Sequence, residues 1–200
     1  MIKVQGKLPR KVYVACSGGV DSMAVVDFLN NKHEVEVLFF HHGNSFSYDE
    51  HAFVVEYFKS RSIPVHIGYM QRERHKSESQ EEFWRIERYK FLNQFSDAPV
   101  ITCHHLDDCV ETWIWSSLNG EGKLIPYANG NIIRPFRMNR KAEFDNWCRI
   151  HNIPWIEDTS NQDIKYMRNF IRHEIMPKVL VVNPGIHKVI CKKVKQDEHQ

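Results

Sequence analysis

A short apolar run, Val12 to Cys16, leads without a spacer into Ser17-Gly18-Gly19-Val20-Asp21-Ser22, and the residues from Asp21 to Asn30 have helical character. Strand, glycine pair and helix in that order restrict the fold, because the chain must reverse direction within a few residues and then pack the helix back on the strand. The pattern continues. Val35 to Phe40, Val65 to Tyr69 and Val100 to Cys103 are runs of strand formers. Between them lie helical stretches at Asp49 to Ser60 and Glu81 to Phe95, with Ser47/Glu50 and Ser79/Glu82 spaced as capping boxes. Strands alternating with helices predict an α/β fold: a parallel sheet with helices on both faces, followed by a short helical carboxyl-terminal segment, with ligands at the carboxyl ends of the strands. The 200 residues suit one domain. We place it over residues 1–190, with residues 191–200 as a polar tail that frays from Lys192 onward.

Hydrophobic residues make up 42% and charged residues 26% of the chain, the ordinary soluble range, so a compact fold is expected and not a disordered or fibrous chain. No stretch approaches the ~18 apolar residues that span a bilayer, and Met1-Ile2-Lys3-Val4-Gln5 carries no signal-peptide core, so a cytoplasmic location with no membrane partner is expected. Cys16, Cys103, Cys109, Cys148 and Cys191 are scattered and odd in number, as expected for reduced thiols. No Cys-x-x-Cys pair is present to build a zinc or iron–sulfur site locally. Charge is uneven: residues 1–130 carry 14 basic and 17 acidic side chains, a net of −3, whereas residues 131–200 carry 13 and 8, a net of +5. A basic final third suits either an ordinary solvated surface or a face for a polyanion such as RNA.

Two adjacent glycines at a helix start let backbone N–H groups approach a ligand, and the helix N-terminus adds partial positive charge, so the Ser17 to Ser22 loop reads as an anion cradle. It lacks the spacing and lysine of a Walker A loop. Asp21 beside bound phosphates suits a Mg²⁺ ligand that screens their charge. The hexapeptide resembles the Ser-Gly-Gly-x-Asp-Ser signature of the PP-loop, or N-type ATP-pyrophosphatase, family. That resemblance implies an adenine-nucleotide-hydrolase-like fold and ATP split between its α and β phosphates, with Ser17, Gly18, Gly19, Val20, Asp21 and Ser22 at the nucleotide.

A second constellation runs Thr102-Cys103-His104-His105-Leu106-Asp107-Asp108-Cys109-Val110-Glu111-Thr112. Zinc is one reading of its histidines and acids, but a contiguous set at a strand end better suits a polar substrate pocket. The string resembles the Gly-His-His-x-x-Asp-x-x-Glu-Thr region of the tRNA(Ile)-lysidine synthetases, with Cys103 at the glycine position. Arg85-Ile86-Glu87-Arg88-Tyr89, Ile133-Arg134-Pro135-Phe136, Asp158-Thr159-Ser160-Asn161 and Arg168-Asn169-Phe170-Ile171-Arg172 are similar to further motifs of that family, in its order.

The resemblance implies adenylation of the wobble cytidine of tRNA(Ile) with a CAU anticodon, then attack by L-lysine. His104, Asp107, Asp108 and Glu111 join Asp21 as the catalytic set; Asp108, Glu111 and Asp158 grip lysine; Arg85, Arg88, Arg134, Arg168, Asn169 and Arg172 meet tRNA or phosphate. Taken singly, Asp158, Ser160 and Asn161 also suit a turn and helix cap, and Arg168 and Arg172 a solvated stripe. Trp113, Trp115, Trp147 and Trp155 are read as core.

The chain departs from the family at Ser45, which stands where an arginine is usual in the stretch after the second strand. Larger members also carry carboxyl-terminal tRNA-gripping domains that would begin where this chain ends; a homodimer or a separate tRNA-binding partner is expected in their place. A tRNA base-thiolating PP-loop enzyme and a non-catalytic nucleotide or tRNA-binding module are the alternatives.

Overall fold

A computed structural model describes residues 1–157 and 163–196. Among these residues six strands form one sheet: β1 (Lys11–Ala15), β2 (Glu34–His41), β3 (Val65–Tyr69), β4 (Val100–Ile101), β5 (Ala128–Asn129) and β6 (Ile132–Ile133), in the order β3-β2-β1-β4-β6-β5. The first four strands and β6 are mutually parallel; β5 returns antiparallel at the edge. The expected parallel sheet is thus mixed, because Gly130 at φ +60° turns the chain back on itself within two residues. Helices α1 (Val20–Asn30), α2 (Ser45–Lys59), α3 (Gln80–Leu92), α4 (Leu106–Leu118) and α5 (Lys141–His151) follow the strands. At the end come α6 (Met167–Phe170), a π turn over Ile171–Ile175, α7 (Met176–Val182) and α8 (Ile186–Gln196).

Both faces of the sheet are covered, as its apolar strands require. Val12, Val14, Val37 and Phe39 join α1, α2 and α5 through Met23, Val26, Val54, Phe58, Phe144 and Cys148. The alternate residues Tyr13, Leu38, Phe40, Val100 and Ile132 join Phe91 and Leu92 of α3 on the other side. A third cluster packs α4 against the C-terminal helices through Leu106, Val110, Ile114, Ile171, Ile190 and Val194. This cluster corrects the expected frayed tail. Ile186, Ile190 and Val194 recur every four residues and bury one stripe, so the helix continues to Gln196 despite its lysines. Trp113, Trp147 and Trp155 are partly buried against these clusters, whereas Trp115, expected in the core, is 42% exposed.

Caps set the helix starts. Ser79 accepts from the Glu82 N–H and opens α3 as its sequence suggests. Helix α2 begins four residues earlier than expected, because Asn44 is the cap and accepts from the Ser47 N–H. The π turn has a local cause: Pro177 offers no N–H to the carbonyl four residues back, and its ring would crowd that carbonyl in an α-helix.

Helix α3 lies so close to β3 that a Cβ at Gly68 would run into the Phe91 ring. Gly68→Ala should lower stability by about 1–3 kcal/mol in urea denaturation, with partial recovery in the Gly68→Ala/Phe91→Leu double variant. An unchanged midpoint would contradict this packing.

Candidate active site at the ends of β1 and β4

Strand order reverses direction between β1 and β4, with β2 and β3 to one side and β6 and β5 to the other. Such a switch point opens a crevice at the carboxyl ends of the two strands, and both sequence constellations sit there. Gly18 turns with φ +85°, and a side chain on it would also press on Val54 and Phe53 of α2. Gly19 is the N-cap of α1 and has no side chain to cap it. The first N–H groups of α1 are consequently left for a ligand. Ser22 is buried and donates to the Gly19 carbonyl at 2.9 Å, which fixes the turn, and the Ile156 N–H holds the Gly18 carbonyl at 2.9 Å. Ser17 is exposed and accepts weakly from the Gly19 N–H at 3.4 Å.

Asp21 lies in the first turn of α1 and points across the crevice. Its Oδ2 is 3.6 Å from Nε2 of His105, while its Oδ1 is buried with no hydrogen-bond partner. A carboxylate oxygen in that condition fits a cation: Mg²⁺ is commonly held by one or two carboxylates together with phosphate oxygens. Among the described residues no group of three His, Cys, Asp or Glu side chains gathers as a ready-made metal cage.

The second constellation divides by role. His105, which sequence reasoning left out of the site, is the N-cap of α4: its Nδ1 accepts from the Asp108 N–H at 3.3 Å, and Asp108 Oδ2 accepts from the His105 N–H at 3.0 Å. The spacing from His105 to Asp108 is the capping-box signal that could have located it. Carboxylates of Asp21, Asp107 and Asp108 each lie 3.6 Å from its ring nitrogens. Burial opposes a charge on His105, but the three acids outweigh it, so its pKa is raised. Next to it, His104 shares a hydrogen bond with Thr102 at 3.0 Å and goes the other way. Burial, with Arg168, Arg134 and Arg88 adding to it against Asp108, lowers His104 to about 3.

The remaining candidates separate into those that reach the crevice and those that brace it. Asp108 Oδ1 accepts from Arg168 at 2.6 Å and Arg172 at 3.2 Å, and Glu111 takes Arg172 in a two-point contact at 2.8 and 2.9 Å. Acids expected to grip lysine and arginines expected to grip phosphate therefore hold each other. Asp107 accepts from the Lys141 N–H at 2.8 Å, from Arg140, and from His187 at 3.0 Å, and so ties α4 to α5 and α8. Arg134 and Asn169, expected to meet tRNA or phosphate, are both buried. Arg134 is 4% exposed and donates to the Pro126 carbonyl and the Tyr89 hydroxyl, while Asn169 is buried and donates to the Asp163 carbonyl. Both brace the fold. Arg85 is exposed and Arg88 half-buried, each against the Tyr89 ring. Arg88 has no ion pair among the described residues, and burial with the like charges of Arg168 and Arg85 presses its pKa down. Asp158 lies outside the described residues.

The histidine pair gives a direct check in protein free of nucleotide and divalent cation. By ring-proton NMR, His105 should titrate above the ordinary ~6.5, and His104 should stay neutral down to about pH 4. The second proton goes on Nδ1 toward Asp107 and Asp108 in exchange for the cap bond from the Asp108 N–H, and the stability that the raised pKa contributes is full below about pH 6.5 and lost as pH rises through the folded value. Asp21→Asn should lower the His105 pKa; two histidines titrating together near 6.5 would contradict the geometry.

A model of the PP-loop domain matches residues 2–179. Curated relatives include the tRNA(Ile)-lysidine synthases of Vibrio parahaemolyticus, 31% identical over 196 residues, and Thermosipho africanus, 32% identical over 202 residues. These matches take in 90% and 92% of this chain but 45% and 47% of the relatives, so the chain spans about half their length. Among solved structures, the U34-tRNA thiolase NcsA of Methanococcus maripaludis, with its [4Fe-4S] cluster, superposes with a TM-score of 0.74 at 16% identity, covering 98% of this chain and 74% of that one. The NH3-dependent NAD synthetase of Campylobacter jejuni gives a TM-score of 0.50 at 14% identity, covering 96% and 87%. No helix among the described residues is long and apolar enough to cross a membrane. With its glycine cradle at the end of β1 and a matching stretch that covers most of its length, the chain belongs to the PP-loop domain family.

Proposed function

We propose that the chain is the catalytic part of an ATP-dependent tRNA-modifying ligase that joins L-lysine to the wobble cytidine of tRNA(Ile) and releases AMP and pyrophosphate. The carrying observation is the bare N-terminus of α1 facing an acid- and arginine-lined crevice at the β1/β4 switch point. Relatives of about 30% identity that are tRNA(Ile)-lysidine synthases support the substrate.

In this reading the β and γ phosphates of ATP lie on the N–H groups of Gly19 to Ser22, where helix dipole and backbone donors favour negative charge. The C2 carbonyl oxygen of cytidine attacks the α-phosphorus, the bond to the bridging oxygen breaks, and pyrophosphate leaves. Lysine's neutral ε-amine then attacks C2, the C2–O bond breaks with departure of AMP, and the amine loses a proton. Mg²⁺ at Asp21 would offset phosphate charge during the first step. His104, kept uncharged by its surroundings, presents a neutral ring beside the reacting centre. Asp108 and Glu111 supply acceptors for lysine, and Arg88 and Arg85 an unneutralised positive surface for tRNA phosphates. Cytoplasmic placement belongs to the same reading.

The thiolase neighbour favours a second reading, sulfur transfer to a tRNA base. Cysteine electrostatics weigh against it. Burial pushes Cys16 up to about 11 and Cys109 and Cys148 up to about 12, and raises Cys103 well above its ordinary value, so these thiols are not poised as thiolates.

Mass spectrometry of tRNA nucleosides after incubation with ATP and lysine separates the readings. Lysidine is the expected product; a thiolated base would transfer the assignment, and unmodified cytidine would refute catalysis by this chain. Asp21→Ala should slow ATP-dependent pyrophosphate release by at least about a hundredfold with the fold retained, because it removes a ligand and not a core contact. Unchanged release would remove Asp21 from the chemistry.

A further inference from the structure

Asp108 and Glu111 are fully subscribed. Oδ2 of Asp108 holds the His105 N–H at 3.0 Å, and Oδ1 takes both Arg168 at 2.6 Å and Arg172 at 3.2 Å. Both oxygens of Glu111 take Arg172, at 2.8 and 2.9 Å, with Arg168 Nε 3.8 Å from one of them. Arg168 and Arg172 balance the two acids charge for charge, and every carboxylate oxygen is engaged. A substrate ammonium would enter a half-buried site whose acid oxygens are all already paired and which has no net negative charge, and this disfavours it.

The two arginines are held differently from the acids. Asp108 and Glu111 are buried on α4, a thirteen-residue helix rooted in the third core cluster. Arg168 has a 55% exposed side chain and sits on the four-residue α6; Arg172 sits in the π turn that follows. A π turn is one residue wider than an α turn, and sliding it along a helix re-aims the side chains it carries while few backbone bonds change. Arg168 also bears on Arg88, whose charge is uncompensated, so the arginine side of the crevice is short of anions.

We propose that Arg168 and Arg172 form a clasp that closes the amino-acid site, and that a phosphate-bearing ligand opens it by drawing the guanidinium groups away from Asp108 and Glu111. The inference rests on the reading of these acids as the lysine grip. Lysine binding and phosphate binding are then linked, each strengthening the other by the same factor. Such a device leaves the acids masked until the polyanion is in place, and the ammonium then takes the position the guanidinium vacates.

The test measures the dissociation constant of L-lysine for the whole chain by calorimetry, alone, with inorganic pyrophosphate and with tRNA. Lysine should bind at least about fivefold more tightly in one of the phosphate arms, and the arm that responds identifies which phosphate opens the clasp. In the Arg168→Gln/Arg172→Gln variant, lysine should bind as tightly alone as the unaltered protein does with that ligand, and the response to it should vanish. Should the variant fail to fold by circular dichroism, the arms on the unaltered protein decide. Equal lysine affinity in all arms, or weaker binding by a folded variant, would overturn the clasp and keep the lysine site. No lysine binding under any condition would overturn the site and the clasp together.

Discussion

Everything at the crevice depends on a helix that starts with nothing over its N-terminus. Gly18 turns at a positive φ, Gly19 has no side chain to cap α1, and a Cβ on Gly18 would press on Val54 and Phe53 of α2. An α-helix has four unsatisfied N–H groups at its start, and a fold that leaves them facing a crevice has built a seat for an anion. Strand order puts that seat beside α4, whose own start is capped by a histidine and an aspartate. One helix start is uncapped and presents the positive end of its dipole; its neighbour is capped and carries Asp107 and Asp108 in its first turn. Nucleotide phosphates and a cationic substrate call for that pair of environments side by side.

The strand–helix alternation and the loop were legible because they rest on local chemistry. β3 falls on the residues expected of it, and α1 and α3 begin within one. The rest turned on tertiary contacts. The Ser47/Glu50 spacing suggested a cap that Asn44 provides instead, three residues earlier than Ser47. Strands β5 and β6 have two residues each, too few for any periodicity. Polarity hid the last turns of α8, whose burial comes from one residue in four. Within the site, motif letters brought Asp21, His104, Asp108, Glu111, Arg168 and Arg172 to one place. They did not show that Arg134 and Asn169 are buried braces, that Asp107 faces Arg140 and His187, or that His105 is the residue opposite Asp21.

Opposite titration of two adjacent histidines follows from where the chain leaves the strand. His105 turns inward to three acids, while His104 lies in the field of three arginines. Adjacent residues in extended chain point to opposite sides, so a single dipeptide samples both halves of the crevice. The thiolase and the NAD synthetase share the sheet at 16% and 14% identity, which fixes architecture and leaves chemistry to side chains. The side chains gathered here are acids and arginines, and burial raises the pKa of Cys16 and Cys103 beside them.

The central claim is that the bend after β1 seats the two phosphates that ATP sheds together. Incubation with ATP labelled at the α-phosphorus, in the presence of tRNA and lysine, tests it most directly. The account predicts label in AMP with unlabelled pyrophosphate; label in ADP with release of orthophosphate would contradict it.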